Sequence, residues 1–215
     1  MECIKGDEGD MEHVQTQNSI TKNNLWSAKA LTMIGLMSAI SFILMFLHFP
    51  IKFIGFLELE LSDIPAVLCG LLYGPLAGVC VELIKNLLHM MASSTAMVGE
   101  IANFLIASSY VVGVTAIFKY AKSEKKLRNG FIIGTILLII MGVTINYFIT
   151  LPMYITLYFG GDESVLYQMA GAMIPAIKDM KTILLFGFVP FNLVKGIVLS
   201  VVTYYVWKVL RKFTA

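Results

Sequence analysis

Asn192 and Lys195 are the residues whose types and spacing in this sequence point most directly to binding chemistry. They lie three positions apart within an otherwise apolar stretch, Ile183–Trp207, that is long enough to cross a bilayer. Residues at i and i+3 share one helix face, so the amide and the ammonium point the same way. A lysine at the centre of a membrane helix costs about 2.5–3.5 kcal/mol on insertion scales, so it usually faces a partner, a ligand or the bundle interior. The pair therefore predicts a polar site inside a helix bundle.

The composition predicts an integral membrane protein. Of 215 residues, 58% are hydrophobic and 14% charged, and the mean hydropathy is +0.80, all far from the values of a soluble domain. The formal net charge of +2 is too small to indicate nucleic-acid binding. Cys3, Cys69 and Cys80 form no metal-binding or disulfide pattern, so no metal site and no cofactor is expected.

Six apolar segments predict an all-α protein with six transmembrane helices, each needing about 18–25 apolar residues. The segments are Ala28–Leu47, Ile64–Tyr73, Leu76–Met91, Ile101–Tyr120, Phe131–Tyr158 and Ile183–Trp207. The second is short and gains length only if Leu59 and Leu61 join it. Gly74 and Pro75 predict a turn before the third segment, and Pro152 predicts a kink in the fifth.

Basic residues indicate how the segments are oriented. The loop after the fourth segment carries Lys119, Lys122, Lys125, Lys126 and Arg128, which predicts that it is cytoplasmic. Counting segments from this loop places both the N-terminus and the C-terminus in the cytoplasm, and the C-terminal basic residues agree with that. The connections 50–63, 92–99 and 160–181 then lie outside, and the last is either an amphipathic lid or an ordinary surface loop.

The first residues of the chain differ from the rest. Residues 1–27 contain several acids and no apolar core, which excludes a cleaved signal peptide and predicts a disordered polar tail. Residues 28–215 are left as a single six-helix membrane domain.

Polar residues within the six segments share a position toward the outer face. They are Lys85, Asn86, Asn103, Asn146, Asn192 and Lys195. Hydrogen bonds that only join helices would be scattered through the membrane, so this bias indicates a polar pocket in the bundle that opens to the outside.

The sequence lacks an energy source for transport. It has no phosphate-binding loop for ATP and no convincing internal repeat of the kind seen in ion-coupled carriers. Gly35 and Ala39 in the first segment are four residues apart, a small-residue pattern that serves either docking of a partner helix or packing within this chain. Binding without an energy source implies a partner.

Six short motifs, in order and with similar spacing, resemble those of one family. They are Leu61-Ser62-Asp63-Ile64-Pro65, Tyr73-Gly74-Pro75-Leu76-Ala77-Gly78, Leu83-Ile84-Lys85-Asn86-Leu87-Leu88, Ala102-Asn103-Phe104-Leu105, Asn146-Tyr147-Phe148 with Leu151-Pro152, and Pro190-Phe191-Asn192-Leu193-Val194-Lys195-Gly196. Together they resemble the riboflavin-specific substrate-binding component of energy-coupling factor (ECF) transporters. The likeness runs from about Ala28 to the C-terminus.

The resemblance implies a function without catalysis. In that family a six-helix subunit of the bacterial cell membrane captures riboflavin, or FMN, with high affinity from outside. It then joins a transmembrane coupling subunit and two cytoplasmic ATPases that drive uptake. By motif, Asn146, Asn192 and Lys195 resemble the residues that hydrogen-bond the flavin, and Gly35 and Ala39 would face the coupling subunit, although family members often carry Ala where this chain has Gly35.

Other residues are candidates for the same pocket. Asn103, Lys85 and Asn86 are polar candidates, and Lys85 has the alternative of reaching the outer headgroups or pairing with Glu82 or Glu100. Glu60 and Asp63 would cap the pocket or meet the ribityl hydroxyls, or remain solvated loop residues. A flat apolar wall for the ring could come from a set of aromatic residues, each of which could instead be ordinary bundle packing: Phe104, Tyr147, Tyr154, Phe188 and Phe191.

Three alternatives remain open on sequence alone. The same architecture could bind another vitamin, such as thiamine, biotin, pantothenate or folate, although cationic thiamine fits poorly beside Lys195. An intramembrane enzyme would use Ser93 or Ser94 with His89, or a Glu/His metal site, but no supporting motif is present. A channel would need polar rings through the full membrane depth, and the inner half here is apolar apart from Ser and Thr.

Overall fold

The computed structural model describes residues 27–47, 52–54, 57–93 and 96–214. The predicted N-terminal tail, 1–27, lies outside the described residues except for Ser27. Ser27 caps the first helix, because its hydroxyl accepts a hydrogen bond of 3.2 Å from the amide of Ala30.

The described chain is almost entirely helical. The helices are α1 (Ala28–Met45), α2 (Asp63–Tyr73), α3 (Pro75–Met90), α4 (Val98–Tyr120), α5 (Lys126–Ile145), α6 (Leu151–Tyr158), α7 (Glu163–Met173), α8 (Met180–Ile183) and α9 (Val189–Thr214). A short antiparallel hairpin, β1 (Lys52–Phe53) with β2 (Leu57–Glu58), precedes α2 and pairs Phe53 with Leu57.

Within the described residues, four helical segments are long and apolar enough to cross a membrane. They are Ala28–Met45, Val98–Tyr120, Lys126–Tyr158 and Met180–Lys212. The second and third predicted segments form shorter helices, α2 with 11 residues and α3 with 16. The predicted extension of α2 by Leu59 and Leu61 is wrong, because the helix begins at Asp63 and the hydroxyl of Ser41 in α1 binds the carbonyl oxygen of Ser62 at this point.

The predicted turn between α2 and α3 is confirmed. Gly74 has φ 103°, a conformation that only glycine adopts without strain, and Pro75 occupies the first turn of α3. Gly78, one turn later, allows close helix packing, because a Cβ there would lie 2.5 Å from a methyl group of Val111 in α4. The start of α3, just after the turn from α2, therefore packs closely against α4.

Two π-helical turns interrupt the long segments. Asn146–Thr150 joins α5 to α6, and Leu184–Phe188 joins α8 to α9. Each turn ends two residues before a proline, Pro152 or Pro190. Proline has no N–H to give to the carbonyl four residues earlier, which favours a local change in the hydrogen-bond ladder. The predicted irregularity at Pro152 thus takes the form of a wide turn just before the proline.

The helices carry apolar residues on their outside and polar residues within. Leu36, Ile43 and Ile140 are each at least half exposed, whereas the charged side chains of Asp63 and Lys85 are fully buried. A soluble protein has the opposite distribution. The outer surface is therefore suited to lipid.

Two apolar clusters hold the bundle together. The larger lies among α2, α3, α4, α5 and α9 and contains Val67, Tyr110, Leu138 and Leu199. The smaller lies under α7 and includes Leu151, Leu166 and Phe188. The candidate site has walls from both clusters.

The connection 160–181, which is predicted to lie outside, contains the helix α7 and packs it over the bundle. Leu166 and Ala170 of α7 are buried in the smaller cluster, which supports the lid prediction. Tyr167 donates a hydrogen bond of 2.9 Å to Glu163 on the exposed side. Partial burial, together with the Glu163 carboxylate, raises the pKa of Tyr167 to about 12.

Candidate functional site

A cavity of about 730 Å³ lies between the ends of α3, α4 and α6, the first two turns of α9, and the α7 cover. Its volume is within the usual range for small-molecule sites. Six of the predicted binding residues lie on its wall: Glu60, Asn103, Asn146, Tyr154, Asn192 and Lys195. The other three, Lys85, Asn86 and Phe104, are not among the described residues that line the cavity.

The two asparagines are both fixed to their own helices. Nδ2 of Asn146 donates to the carbonyl of Gly142 at 2.6 Å, and Nδ2 of Asn192 donates to that of Phe188 at 2.8 Å. Each amide uses one N–H in this way and keeps its second N–H and its carbonyl oxygen for a ligand. Both side chains are at least 94% buried, so they are oriented before a ligand arrives.

Gly142 makes room for Asn192. A Cβ at position 142 would lie 2.5 Å from Nδ2 of Asn192, closer than any normal contact. The lack of a side chain at Gly142 therefore allows α5 and α9 to pack closely against each other at the site. Sequence reasoning missed this residue, because one glycine in an apolar helix gives no sign of what lies opposite.

Lys195 lies between two carboxylates. Its Nζ is 3.0 Å from Oδ2 of Asp63 and 3.7 Å from Oε1 of Glu60. Asn103 donates a hydrogen bond of 3.0 Å to the same oxygen of Glu60. The ammonium is thus held by α2 and by the segment before it, and Glu60 joins Lys195 to α4.

Lys85 lies behind this wall and closes the ion network. Its Nζ is 2.5 Å from Oδ1 of Asp63, 2.9 Å from Oγ of Ser62 and 2.9 Å from Oε2 of Glu82. The predicted pairing with Glu82 is confirmed, and the alternative of reaching the headgroups is wrong, because the Lys85 side chain is 0% exposed. Asn86 is bound to the Glu82 carbonyl at 2.8 Å. These contacts favour the structural alternative for both residues.

The aromatic candidates divide into two groups. Tyr154, Phe188 and Phe191 line the cavity, and the ring of Phe191 packs against that of Phe53 in β1 with centroids 6.0 Å apart. Tyr147 is 44% exposed on the apolar outside. The cavity therefore has flat apolar walls beside its polar groups.

A second polar group lines the same cavity. Nδ1 of His89 at the end of α3 is 3.0 Å from Oε1 of Glu100 in α4. Ser93 donates a hydrogen bond of 2.9 Å to Oε2 of the same carboxylate, and the His89 ring packs on Phe46 at 5.2 Å. From the sequence, His89 was a candidate for an enzyme or metal site or an interfacial residue, and Glu100 was a candidate for a metal site or a partner for Lys85. Their spacing of 11 residues gave no sign that they meet at a cavity.

The small-residue pair of α1 is not part of this site. Gly35 and Ala39 are exposed, and a Cβ at Gly35 would have no described atom within 4 Å. Internal packing of this face, one of the two alternatives, is therefore not observed in the described part of the chain. The same part of the chain contains no group of three or more His, Cys, Asp or Glu side chains that could hold a metal ion.

Comparison with known proteins identifies the family. Residues 29–207 match the family model described as the ECF transporter, substrate-specific component. The riboflavin transporter RibU of Staphylococcus aureus (strain TCH60) is 37% identical over 197 residues, covering 91% of this chain and 97% of the relative. The riboflavin transporter FmnP of Bacillus subtilis (strain 168) is 34% identical over 180 residues, covering 81% and 87%.

A solved structure agrees with the sequence relatives. It is described as the S component of a bacterial ECF transporter, is 37% identical, and superposes with a TM-score of 0.69 over 86% of this chain and 96% of that one. These relatives are transport components and not enzymes, and the apolar helices are those of a multi-pass bacterial membrane protein. The chain belongs to the substrate-specific components of ECF transporters.

Proposed function

We propose that this chain is the riboflavin-binding subunit of an ECF transporter and that riboflavin binds in the cavity between α4, α6 and α9. One observation carries the proposal: two buried amides and one ammonium, Asn146, Asn192 and Lys195, line a single cavity that also has aromatic walls. The relatives named as riboflavin transporters support this ligand over thiamine, biotin, pantothenate or folate.

The polar groups match the chemistry of a flavin ring. The edge of an isoalloxazine offers carbonyl and ring-nitrogen acceptors and one imide donor. Each asparagine offers a donor and an acceptor, and Lys195 offers donors only. Tyr154, Phe188 and Phe191 supply apolar surface for the faces of the ring.

The charges support an arrangement of six membrane segments with both chain ends in the cytoplasm. Basic residues follow α4 and also end α9, where Lys208, Arg211 and Lys212 lie. Asn103 lies at the opposite end of α4, in its first turns, and Asn146 lies in the far part of the α5–α6 segment. With the basic ends inside, the cavity opens to the outside, where the vitamin is captured.

Release inside the cell then depends on partners. The chain has no ATP-binding loop, and the proposed partners are a transmembrane coupling subunit and two cytoplasmic ATPases. The exposed face of α1 around Gly35 and Ala39 is the proposed contact with the coupling subunit, because these two small residues leave room for close approach of another helix.

The experiment that tests the ligand is a titration of the detergent-purified, ligand-free protein with riboflavin while flavin fluorescence is recorded. We expect stoichiometric, tight quenching, because a buried ring is shielded from water and stacked on aromatic side chains. Thiamine and biotin serve as competitors that should not restore the fluorescence. A protein that ignores riboflavin but binds another vitamin would contradict the proposal and keep the family.

A further inference from the structure

A groove of about 800 Å³ runs between α5 and α9 on the apolar outside of the bundle. Its described lining residues are all different from those of the proposed riboflavin cavity. The two helices are in close contact along it, because a Cβ at Gly196 would lie 2.6 Å from a methyl group of Thr135. Arg128 lies at one end of the groove, and Ile139 and Leu193 lie at the other.

The groove has the polarity and the length of a lipid chain. Its walls are mainly branched apolar side chains, of which Ile132, Ile136 and Ile197 are each at least half exposed. Eleven residue steps separate Arg128 from Ile139, which is about 16 Å at about 1.5 Å per residue. Half of a hydrocarbon layer of about 30 Å has nearly the same length. The groove therefore extends through one leaflet of the bilayer.

One end of the groove is polar and basic. Arg128 is exposed in the first turn of α5 and lines the groove, whereas Lys126 of the same turn lies over the ring of Phe118 at 4.6 Å. Tyr204 and Tyr205 line the groove at the same end, and each can donate a hydrogen bond from its hydroxyl. None of the described residues that line the groove is acidic. The guanidinium of Arg128 suits a phosphate group, which it can bind through two parallel N–H groups.

A second basic residue lies just beyond this end. Lys208 follows Tyr204 by four residues in α9, so the two side chains share a face, and Lys208 is exposed. Two positive charges near one headgroup favour a lipid with a net negative charge over a zwitterionic one. Each Lys or Arg near an anionic membrane surface contributes about 1 kcal/mol to such attraction.

The side chains of the groove suit a flexible chain better than another helix. Membrane helices pack closely where small residues leave room, as Gly35 and Ala39 do on the exposed face of α1. The walls of the groove carry large branched residues instead, and the glycine of α9 at this level, Gly196, is buried against Thr135. An acyl chain can lie between such side chains without displacing them.

We propose that the groove between α5 and α9 binds one anionic phospholipid, with an acyl chain along the groove and the phosphate on Arg128. In the orientation proposed above, Arg128 lies on the cytoplasmic side, so the lipid comes from the inner leaflet. A ligand that binds only the folded protein stabilises it, and this lipid contacts both α5 and α9. The site requires no flavin and is independent of the proposed function.

The first test measures the contribution of Arg128. The protein is purified in detergent, stripped of lipid and titrated with phosphatidylglycerol, and native mass spectrometry records the number of bound lipids and the dissociation constant. We expect one tightly bound lipid, held about tenfold or more weakly by Arg128→Gln, because a hydrogen bond to a charged group is lost. Lys122→Gln removes an exposed charge outside the groove and should bind the lipid as the unmodified protein does.

The second test fills the groove. Ile136→Trp places an indole where the acyl chain is proposed to lie, and this variant should lose the bound lipid. Ile140→Trp is the matched control, because residues 136 and 140 are 50% and 54% exposed on the same helix and Ile140 is not among the described lining residues. Circular dichroism of both variants verifies that they are folded.

A comparison of lipids on the unmodified protein needs no variant. Phosphatidylglycerol should bind several-fold more tightly than phosphatidylcholine, whose choline offsets the phosphate charge, and more tightly than diacylglycerol, which has no phosphate. Equal affinities for phosphatidylglycerol and diacylglycerol would overturn the inference.

Three further results would also overturn it. One is equal lipid affinity of Arg128→Gln and Lys122→Gln, and another is unchanged lipid binding by Ile136→Trp. The third is a dimer of the unmodified protein that Ile136→Trp converts to a monomer, because the groove would then hold a second copy of the chain. A protein that binds phosphatidylglycerol as expected and ignores riboflavin would contradict the proposed function and leave the lipid site standing.

Discussion

Lys195 and Asp63 form a buried ion pair of 3.0 Å that joins the second turn of α9 to the first turn of α2. The other oxygen of Asp63 is bound to Lys85 in α3 at 2.5 Å. One carboxylate therefore serves two ammonium groups, of which only that of Lys195 lines the cavity. On the proposed function, loss of Lys195 removes a ligand contact, whereas loss of Lys85 removes a buried ion pair behind the cavity, so the two lysines should respond differently to mutation.

Lys195→Met should weaken riboflavin binding about tenfold or more, because a hydrogen bond from a charged group contributes about 1.5–3 kcal/mol. The protein should still fold, since Asp63 keeps Lys85 as its partner. The measurement is the dissociation constant from fluorescence quenching. Lys181→Met, at an exposed position, is the matched control, and equal affinities of the two variants would remove Lys195 from the site.

Lys85→Met should lower stability more than affinity. The substitution removes the ammonium group that pairs with Glu82 and leaves Asp63 with Lys195 as its cation. Removing one partner of a buried ion pair costs about 3–5 kcal/mol of stability. Thermal unfolding in detergent, followed by circular dichroism, should show a clearly lower Tm than for Lys195→Met.

The double variant Lys85→Met with Glu82→Gln separates charge from packing in that experiment. It should recover part of the lost stability, because the uncompensated carboxylate of Glu82 is gone. No recovery would mean that Lys85 stabilises the bundle by packing and not through its charge.

Gly142→Ala should reduce riboflavin affinity about tenfold while the protein stays folded. The new methyl group would lie 2.5 Å from Nδ2 of Asn192 and must displace the amide, although alanine itself suits a helix better than glycine. Gly35→Ala, the same change at an open position of α1, should bind normally. A similar loss in Asn192→Ala would link the effect to the amide, and normal binding by Gly142→Ala would show that the amide moves freely.

Gly35→Trp should abolish riboflavin uptake by cells and leave binding in detergent unchanged. The indole would fill the space in which a partner helix is proposed to approach α1. Ile140→Trp, on the outside of α5 with 54% exposure, is the control and should support uptake. Loss of binding in Gly35→Trp would instead mean that the face contributes to the fold.

Local sequence rules predicted the features that depend on neighbours along the chain. The turn at Gly74 and Pro75 follows from the backbone preferences of two residues. The shared face of Asn192 and Lys195 follows from helical periodicity. The helix boundaries at α4, α5 and α9 extend beyond the apolar segments, because charged residues such as Lys126 continue a helix outside the hydrocarbon.

The remaining features depend on residues that meet across the fold. A buried lysine predicts an anion nearby, but it does not say that Asp63 is shared by Lys85 and Lys195. The contact of His89 with Glu100 spans a connection between two helices, and its geometry cannot be read from spacing. The prolines predict that the helices are irregular. The π-helical form of each irregular turn depends on which backbone carbonyls accept hydrogen bonds, and this cannot be read from the prolines alone.

The helix lengths indicate how deep in the membrane Asn146 and Asn192 lie. Twenty residue steps separate Lys126 from Asn146, and twenty separate Asn192 from Lys212. At about 1.5 Å per residue, each asparagine lies about 30 Å from a basic helix end, which is the thickness of the hydrocarbon layer. In the orientation that we propose, those basic ends lie at the inner headgroups, and both amides lie near the level of the outer headgroups. A ligand rich in hydroxyl groups would then pass from water into the cavity without ever being dehydrated by lipid chains.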